Sequence, residues 1–240
     1  MIVYIGFAQK DERTEWAATY ARHALRFEQA SGSRCLVVPF DLVDAELMTR
    51  LRPAAVLMSG FARSFEEYPV GAFTAVADWL MCGPPAPTLA ICGSHQLLGF
   101  VFGGKLKADE PLRDQPMRRR RSGEPIVNPD YHPEHFMERG FYELQLVSED
   151  PLFRDTNRPP VMMESHYCEV KELPPGFRLL ASTPECRIQA MRHESRPLIG
   201  VQFHPEDYTE RFPDGRRFLE AFFREASQYR PRNTRGAPDA

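Results

Sequence analysis

No Cys-x-x-C pair occurs in this chain, and its five cysteines, Cys35, Cys82, Cys92, Cys168 and Cys186, are odd in number and widely scattered. That spacing argues against a disulfide framework or a cysteine zinc site and points to a reducing compartment. Long apolar runs are missing too, none approaching the roughly 20 residues that span a bilayer. The opening stretch, MIVYIGFAQKDERTEW, turns charged too soon for a signal peptide. A cytoplasmic location and no membrane contact are therefore expected. Strong charge of one sign is also lacking: the net value is −3, which gives no reason to expect nucleic acid as a partner. With 42% hydrophobic and 26% charged residues over 240 positions, the chain has the composition of an ordinary globular protein. It is long enough to bury most of its apolar surface without staples.

What is present is an alternation of short apolar runs with amphipathic segments. Ile2 to Ile5 reads as a buried strand, and Cys35 to Val38 and Ala54 to Met58 as a second and a third strand. Between them Trp16, Tyr20, Ala24 and Phe27 recur at helical spacing, predicting a helix over 12–29 that Gly32 ends. Short helices are expected over 44–51 and 73–81, and a Pro-rich turn at 84–87 leads into a fourth strand. Strands alternating with helices imply an α/β fold with an open, mostly parallel sheet covered on both faces. Sites in such sheets lie beyond the carboxyl ends of the strands.

Two stretches at predicted strand ends carry chemistry. In Thr88 to Gly104, TLAICGSHQLLGFVFGG, the run Leu89 to Ile91 meets Cys92, with Ala90 and Ser94 two residues to either side, before a helical segment begins. A nucleophile at such an elbow is thrust up from the strand end, and the turn closes only around small neighbours. The following helix points its free N–H groups and the positive end of its dipole at the sulfur, favouring negative charge there. Alone, Cys92 would read as a small buried hydrophobe. The second stretch, Gly200 to Glu206, GVQFHPE, shifts the balance, because its strand runs directly into His204 and Glu206. Cysteine, histidine and carboxylate are the set that thiol catalysis needs.

Together ICGSHQLLG and GVQFHPE resemble the class I glutamine amidotransferases, whose segments read G-I-C-x-G-H-Q and G-V-Q-F-H-P-E. The second motif matches in full. The first departs at Ala90 and at Gly93-Ser94, where the replacements stay small enough for the elbow to close. The resemblance runs to about Ala226 and implies a flavodoxin-like domain over 1–226, with 227–240 a flexible tail. It implies Cys92 as nucleophile, His204 as base and Glu206 as the carboxylate that orients it. It further implies an oxyanion hole from the Gly60-Phe61 loop and the N–H of Gly93, and substrate contacts from Gln96 and a turn at Ser165, His166 and Tyr167. Phe61 replaces a family glycine, and its Cβ is expected to restrict the turn. A low basal rate is accordingly expected. Phe61→Gly should raise it if a synthase partner reorders the loop, or lower activity on a bulkier γ-glutamyl amide if that substrate packs against Phe61. Tyr167 also replaces a frequent glycine.

The implied reaction is hydrolysis of the glutamine side-chain amide through a γ-glutamyl thioester, with ammonia passing to a separate synthase and no metal or organic cofactor. Two other readings stay open: a hydrolase acting on a γ-glutamyl amine or peptide, and a catalytically idle regulatory relative. Residues 106–139 read as an insertion, a lid or docking surface. Its Arg118 to Arg121 run reads as a solvated loop. Its His132 and His135, with Asp130 and Glu134 nearby, make a weak metal motif. After Gly140 a strand is expected over 141–147, with an antiparallel extension at 179–182 and 188–191. A helix with Phe218, Leu219, Phe222 and Phe223 on one face closes the fold. Of the cysteines other than Cys92, all are expected to be structural.

Overall fold

The computed structural model describes residues 1–230 except 62, 85, 108 and 130, so the predicted tail beyond 230, Asp130 and part of the Pro-rich turn lie outside the described residues. Five strands form the parallel half of an eight-stranded sheet: β1 (Ile2–Gly6), β2 (Cys35–Pro39), β3 (Ala55–Met58), β4 (Thr88–Ile91) and β10 (Leu198–Val201). They lie in the order β2-β1-β3-β4-β10, and β9 (Ala190–His193), β8 (Phe177–Ser182) and β6 (Gln145–Leu146) continue the sheet antiparallel. A separate ribbon pairs β5 (Glu138–Glu143) with β7 (Val161–His166).

The period-two pattern of the strands divides the core. Val3, Ile5, Val56 and Met58 face a layer with α2 (Ala45–Leu51), α3 (Thr74–Cys82) and α4 (Gly93–Phe102). Ile2, Tyr4, Leu57 and Leu89 face the other side, against α1 (Arg13–Ser31) and α5 (Asp214–Gln228). Strands buried on both faces need continuous apolar sequence, which is why these runs are recognisable. Local signals set the helix ends. Asp44 caps α2 by accepting from the Leu47 N–H at 2.7 Å, and Gly32, at φ 70°, ends α1 with its N–H on the Glu28 carbonyl. Among the described residues no helix is long and apolar enough to cross a membrane.

Several expectations change. The single strand over 141–147 is two: β5 pairs with β7, β6 pairs with β8, and the chain changes sheets at buried Leu144, whose N–H bonds the Pro160 carbonyl at 2.8 Å. Alternation marks extended chain but not its partner. The segment read as a turn at Glu164 to Tyr167 is the end of strand β7, and the chain bends only after His166. Within the Arg118 to Arg121 loop, Arg119 and Arg121 are exposed, while half-buried Arg118 holds Glu124 and Glu185 at 2.7 and 2.6 Å. The closing helix runs one residue past Ser227, to Gln228.

Candidate active site

The register of adjacent strands brings the predicted residues together. Val201 of β10 pairs with Ile91 of β4, and the Cys92 N–H bonds the Val201 carbonyl at 2.8 Å. The segments after these two strands, bearing Cys92 and His204, therefore leave the sheet side by side. β3 pairs with β4 on the other side through Met58 and Ala90, which delivers Ser59-Gly60 to the same spot. Cys92 adopts φ 52° and ψ −112°, a conformation that side chains rarely accept. Ser94 holds it there: its buried hydroxyl accepts from the Ile91 N–H at 2.7 Å and lies 2.9 Å from the Met58 carbonyl.

His204 turns Nδ1 to Glu206 Oε1 at 2.9 Å, and its ring and Cys92 flank Gly60 from the same crevice. Burial alone would depress the protonated ring, but the charges of Glu206 and Cys92 outweigh it and raise the His204 pKa well above its ordinary value. Glu206 is buried, and the His204 N–H is anchored on the Met163 carbonyl of β7 at 2.7 Å. Gly60 fits the crevice beside both groups, since a Cβ there would lie 3.2 Å from His204 Cε1 and 3.3 Å from Cys92 Cβ. Gly93 is the first residue of α4, so its N–H has no intrahelical acceptor.

Phe61 keeps its backbone outside the left-handed region, a conformation that a residue with a Cβ adopts without strain. Its ring stacks on Phe7 at 4.6 Å and on Phe73 at 5.5 Å, and it covers Gly93 so closely that a Cβ there would fall 2.6 Å from Phe61 Cγ.

A cavity of about 190 Å³ opens over Cys92 and is lined by all four predicted contact residues, Gln96, Ser165, His166 and Tyr167. Gln96, His166 and Tyr167 have side chains already hydrogen-bonded within the protein. The Gln96 amide donates to the Cys168 carbonyl at 3.1 Å and to Gln202 Oε1 at 3.2 Å. His166 is buried, with Nδ1 on the Cys168 carbonyl at 2.8 Å and Nε2 facing Glu138 at 3.0 Å and Glu164 at 3.3 Å. Burial opposes its charge, yet the two carboxylates hold the ring protonated, its pKa pushed up to about 10. Burial lifts the Glu164 carboxyl to about 7. Sequence reasoning missed Glu138, which it placed in the insertion, and Glu164, which it placed in a turn, whereas they lie on the paired strands β5 and β7.

The roof of the cavity is built by side chains of the 106–139 segment, read from sequence as a lid or docking surface. Tyr167 hydrogen-bonds Asp114 and reaches Ser64 at 3.0 Å and Tyr131 at 3.2 Å, while His132 stacks on its ring at 4.3 Å. At this edge the ligand atoms of His132, Glu134 and His135, all named in the sequence motif, lie within 4.8 Å of one another. Of the remaining cysteines, Cys168 and Cys186 are buried and Cys35 is half-buried, but Cys82 is exposed at the end of α3, so it is not the structural residue expected.

Comparison with known proteins agrees with this architecture. The model of the glutamine amidotransferase class-I family matches residues 19–226. A subunit of the glutamine-hydrolyzing GMP synthase of Thermococcus kodakarensis is 39% identical over 120 residues, half of each chain. The glutamine-hydrolyzing GMP synthase of Ralstonia pickettii is 30% identical over 206 residues, 82% of this chain and 32% of that one. The chain spans about half the length of the first curated relatives it matches. Among solved structures, a putative GMP synthase subunit from Thermoplasma acidophilum superposes with a TM-score of 0.66 at 22% identity, covering 95% of both chains. A glutamine amidotransferase from Thermotoga maritima gives 0.56 at 16% identity over 95% of this chain and 84% of that one. These likenesses place the fold among flavodoxin-like sheets, and the match over 19–226 shows that the chain belongs to the class-I glutamine amidotransferase family.

Proposed function

We propose that this protein hydrolyses the side-chain amide of glutamine and hands the ammonia to a separate synthase. The observation that carries the reading is Cys92 on a strained strand-to-helix elbow, beside a histidine whose far nitrogen is held by Glu206 at 2.9 Å. The raised pKa of His204 keeps the proton on the imidazole, so sulfur is available to attack the amide carbon of glutamine. The C–S bond forms as the carbonyl electrons move to oxygen, where the N–H groups of Gly93 and the Gly60-Phe61 loop offer hydrogen bonds. His204 gives its proton to the amide nitrogen, and ammonia leaves. Water, deprotonated by His204, then cleaves the thioester to give glutamate. Glu206 fixes the tautomer and balances the imidazolium charge throughout. No step calls for a metal or organic cofactor.

The relatives named as GMP synthase subunits support a glutaminase chain that works beside a synthase chain. Residues 106–139 act as a lid in this reading, because Asp114, Tyr131 and His132 meet Tyr167 over the cavity. Residues 1–226 form one domain, and five free cysteines suit a reducing cytoplasm. An electrophilic glutamine analogue should label Cys92 and abolish glutamine turnover, and Cys92→Ser should abolish both. Mass mapping of the adduct to Cys168 or Cys82, or turnover that survives in Cys92→Ser, would overturn the assignment.

A further inference from the structure

The catalytic reading leaves one buried group beside the sulfur without a role. Gln202 follows β10, is fully buried, and lies with its side-chain nitrogen 3.6 Å from Cys92 Sγ. The orientation of its amide is fixed by a backbone group two links away. The Cys168 carbonyl can only accept, so the Gln96 atom facing it at 3.1 Å is the nitrogen. That nitrogen also meets Gln202 at 3.2 Å, so Gln202 presents oxygen to Gln96. Its own N–H is then left for the sulfur. The chain of donors runs Gln96 to Gln202 to Cys92, anchored at Cys168.

We propose that Gln202 is a catalytic residue that donates a hydrogen bond to the Cys92 sulfur whenever that atom carries negative charge. The inference rests on the reading of Cys92 as nucleophile. Sulfur is negative at two points of the cycle: before it attacks the amide carbon, and when water's oxygen has bonded to the thioester carbon, the C–S bond breaks and its electron pair returns to sulfur. A donor inside the protein stabilises such charge without reorganising at the moment of reaction. His204 is already committed to Glu206 on one side and to proton transfer on the other. An N–H that never gives up its proton complements it. Gln96 is the positioning residue, since its second hydrogen keeps the Gln202 amide from turning over.

The test uses exposed Cys82 as an internal reference. Iodoacetamide labelling of the full-length protein at neutral pH gives the ratio of Cys92 to Cys82 modification by mass spectrometry. Gln202→Leu, close in volume but without a donor, should lower that ratio about tenfold and lower kcat by a similar factor with little change in KM. Gln202→Glu, which puts an acceptor against the sulfur, should lower it further. Gln96→Leu, which leaves Gln202 in place but unanchored, should lower it less and serves if the Gln202 variants fail to fold. A folded Gln202→Leu protein with the wild-type ratio would overturn the proposal. Failure of the nucleophile reading would look different: the wild-type ratio itself would be no greater than one.

Discussion

Replacing Phe61 by alanine should destabilise the protein and slow it, the reverse of what its place in a glycine position suggests. The ring is half-buried, with Phe7, Phe65, Tyr68 and Phe73 at 4.6, 4.9, 5.4 and 5.5 Å between centroids. Loss of a fully buried phenylalanine costs about 3–5 kcal/mol, so a half-buried one in this cluster should cost about 2–3 kcal/mol. For a chain of this length that lowers the melting temperature by roughly 5–10 °C. The same ring presses on Gly93 and fixes the loop after Ser59, which is hydrogen-bonded through its Oγ to the Phe7 N–H at 3.1 Å and the Gly60 carbonyl at 2.8 Å. One misdirected oxyanion donor is worth on the order of 3 kcal/mol, or about a hundredfold in kcat. Thermal unfolding and steady-state glutamine hydrolysis read the two effects separately, and Phe61→Leu, which keeps most of the packing, should retain most of both. A Phe61→Gly protein that turns over glutamine faster than wild type would refute the reasoning, because it would mean the ring obstructs the loop rather than supporting it.

Other outcomes follow from the same geometry. His204→Asn should lower kcat about a thousandfold or more, and Glu206→Gln less, since an amide oxygen can still accept from Nδ1; equal losses in steady-state assays would contradict the orienting role. Ser94→Ala removes a buried hydroxyl that holds the elbow and should cost about 1–3 kcal/mol in denaturant unfolding, with a fall in Cys92 labelling. Glu164 titrates near 7 in the folded protein against about 4.5 when unfolded. The native state thus holds more protons between those values, and stability should fall as pH rises through that window. Glu164→Gln should flatten that part of the stability profile, and an unchanged slope would show that the carboxyl titrates normally.

The parts of the molecule legible in the sequence are those where one local rule has one structural meaning. A short apolar run bounded by turn residues is a doubly buried strand, and β1, β3 and β4 appear where their runs fall. Small residues either side of Cys92 mark a tight elbow, and the φ of 52° requires one. Legibility fails where pairing decides. Phe141 to Val147 alternates without a break, yet only the partners available at Pro160 and Ala181 divide it between two sheets. Glu138 and Glu164 violate the rule that charge marks solvent, Glu138 because groups distant in sequence compensate it and Glu164 because it shares buried His166 with Glu138. Thr183 and Gln189 reach Glu138 at 2.7 Å each, and His166 lies between the two carboxylates. Gln202 reads simply as part of a strand-end motif until Cys168, 34 positions earlier, fixes which way its amide points.

Chemistry and recognition are built on different supports in this protein. Cys92, Ser94, Gln202 and His204 leave the ends of β4 and β10, which are hydrogen-bonded neighbours deep in the sheet. Their spacing is set by strand pairing, so it is as rigid as the core itself. The cavity roof instead depends on side chains that meet across a long connection: Asp114 holding the Phe65 N–H at 2.8 Å and the Tyr167 hydroxyl, with Tyr131 and His132 against them. These part-buried contacts lie outside the pairing of β4 with β10, so a change in the roof leaves the spacing of sulfur, imidazole and carboxylate to the sheet.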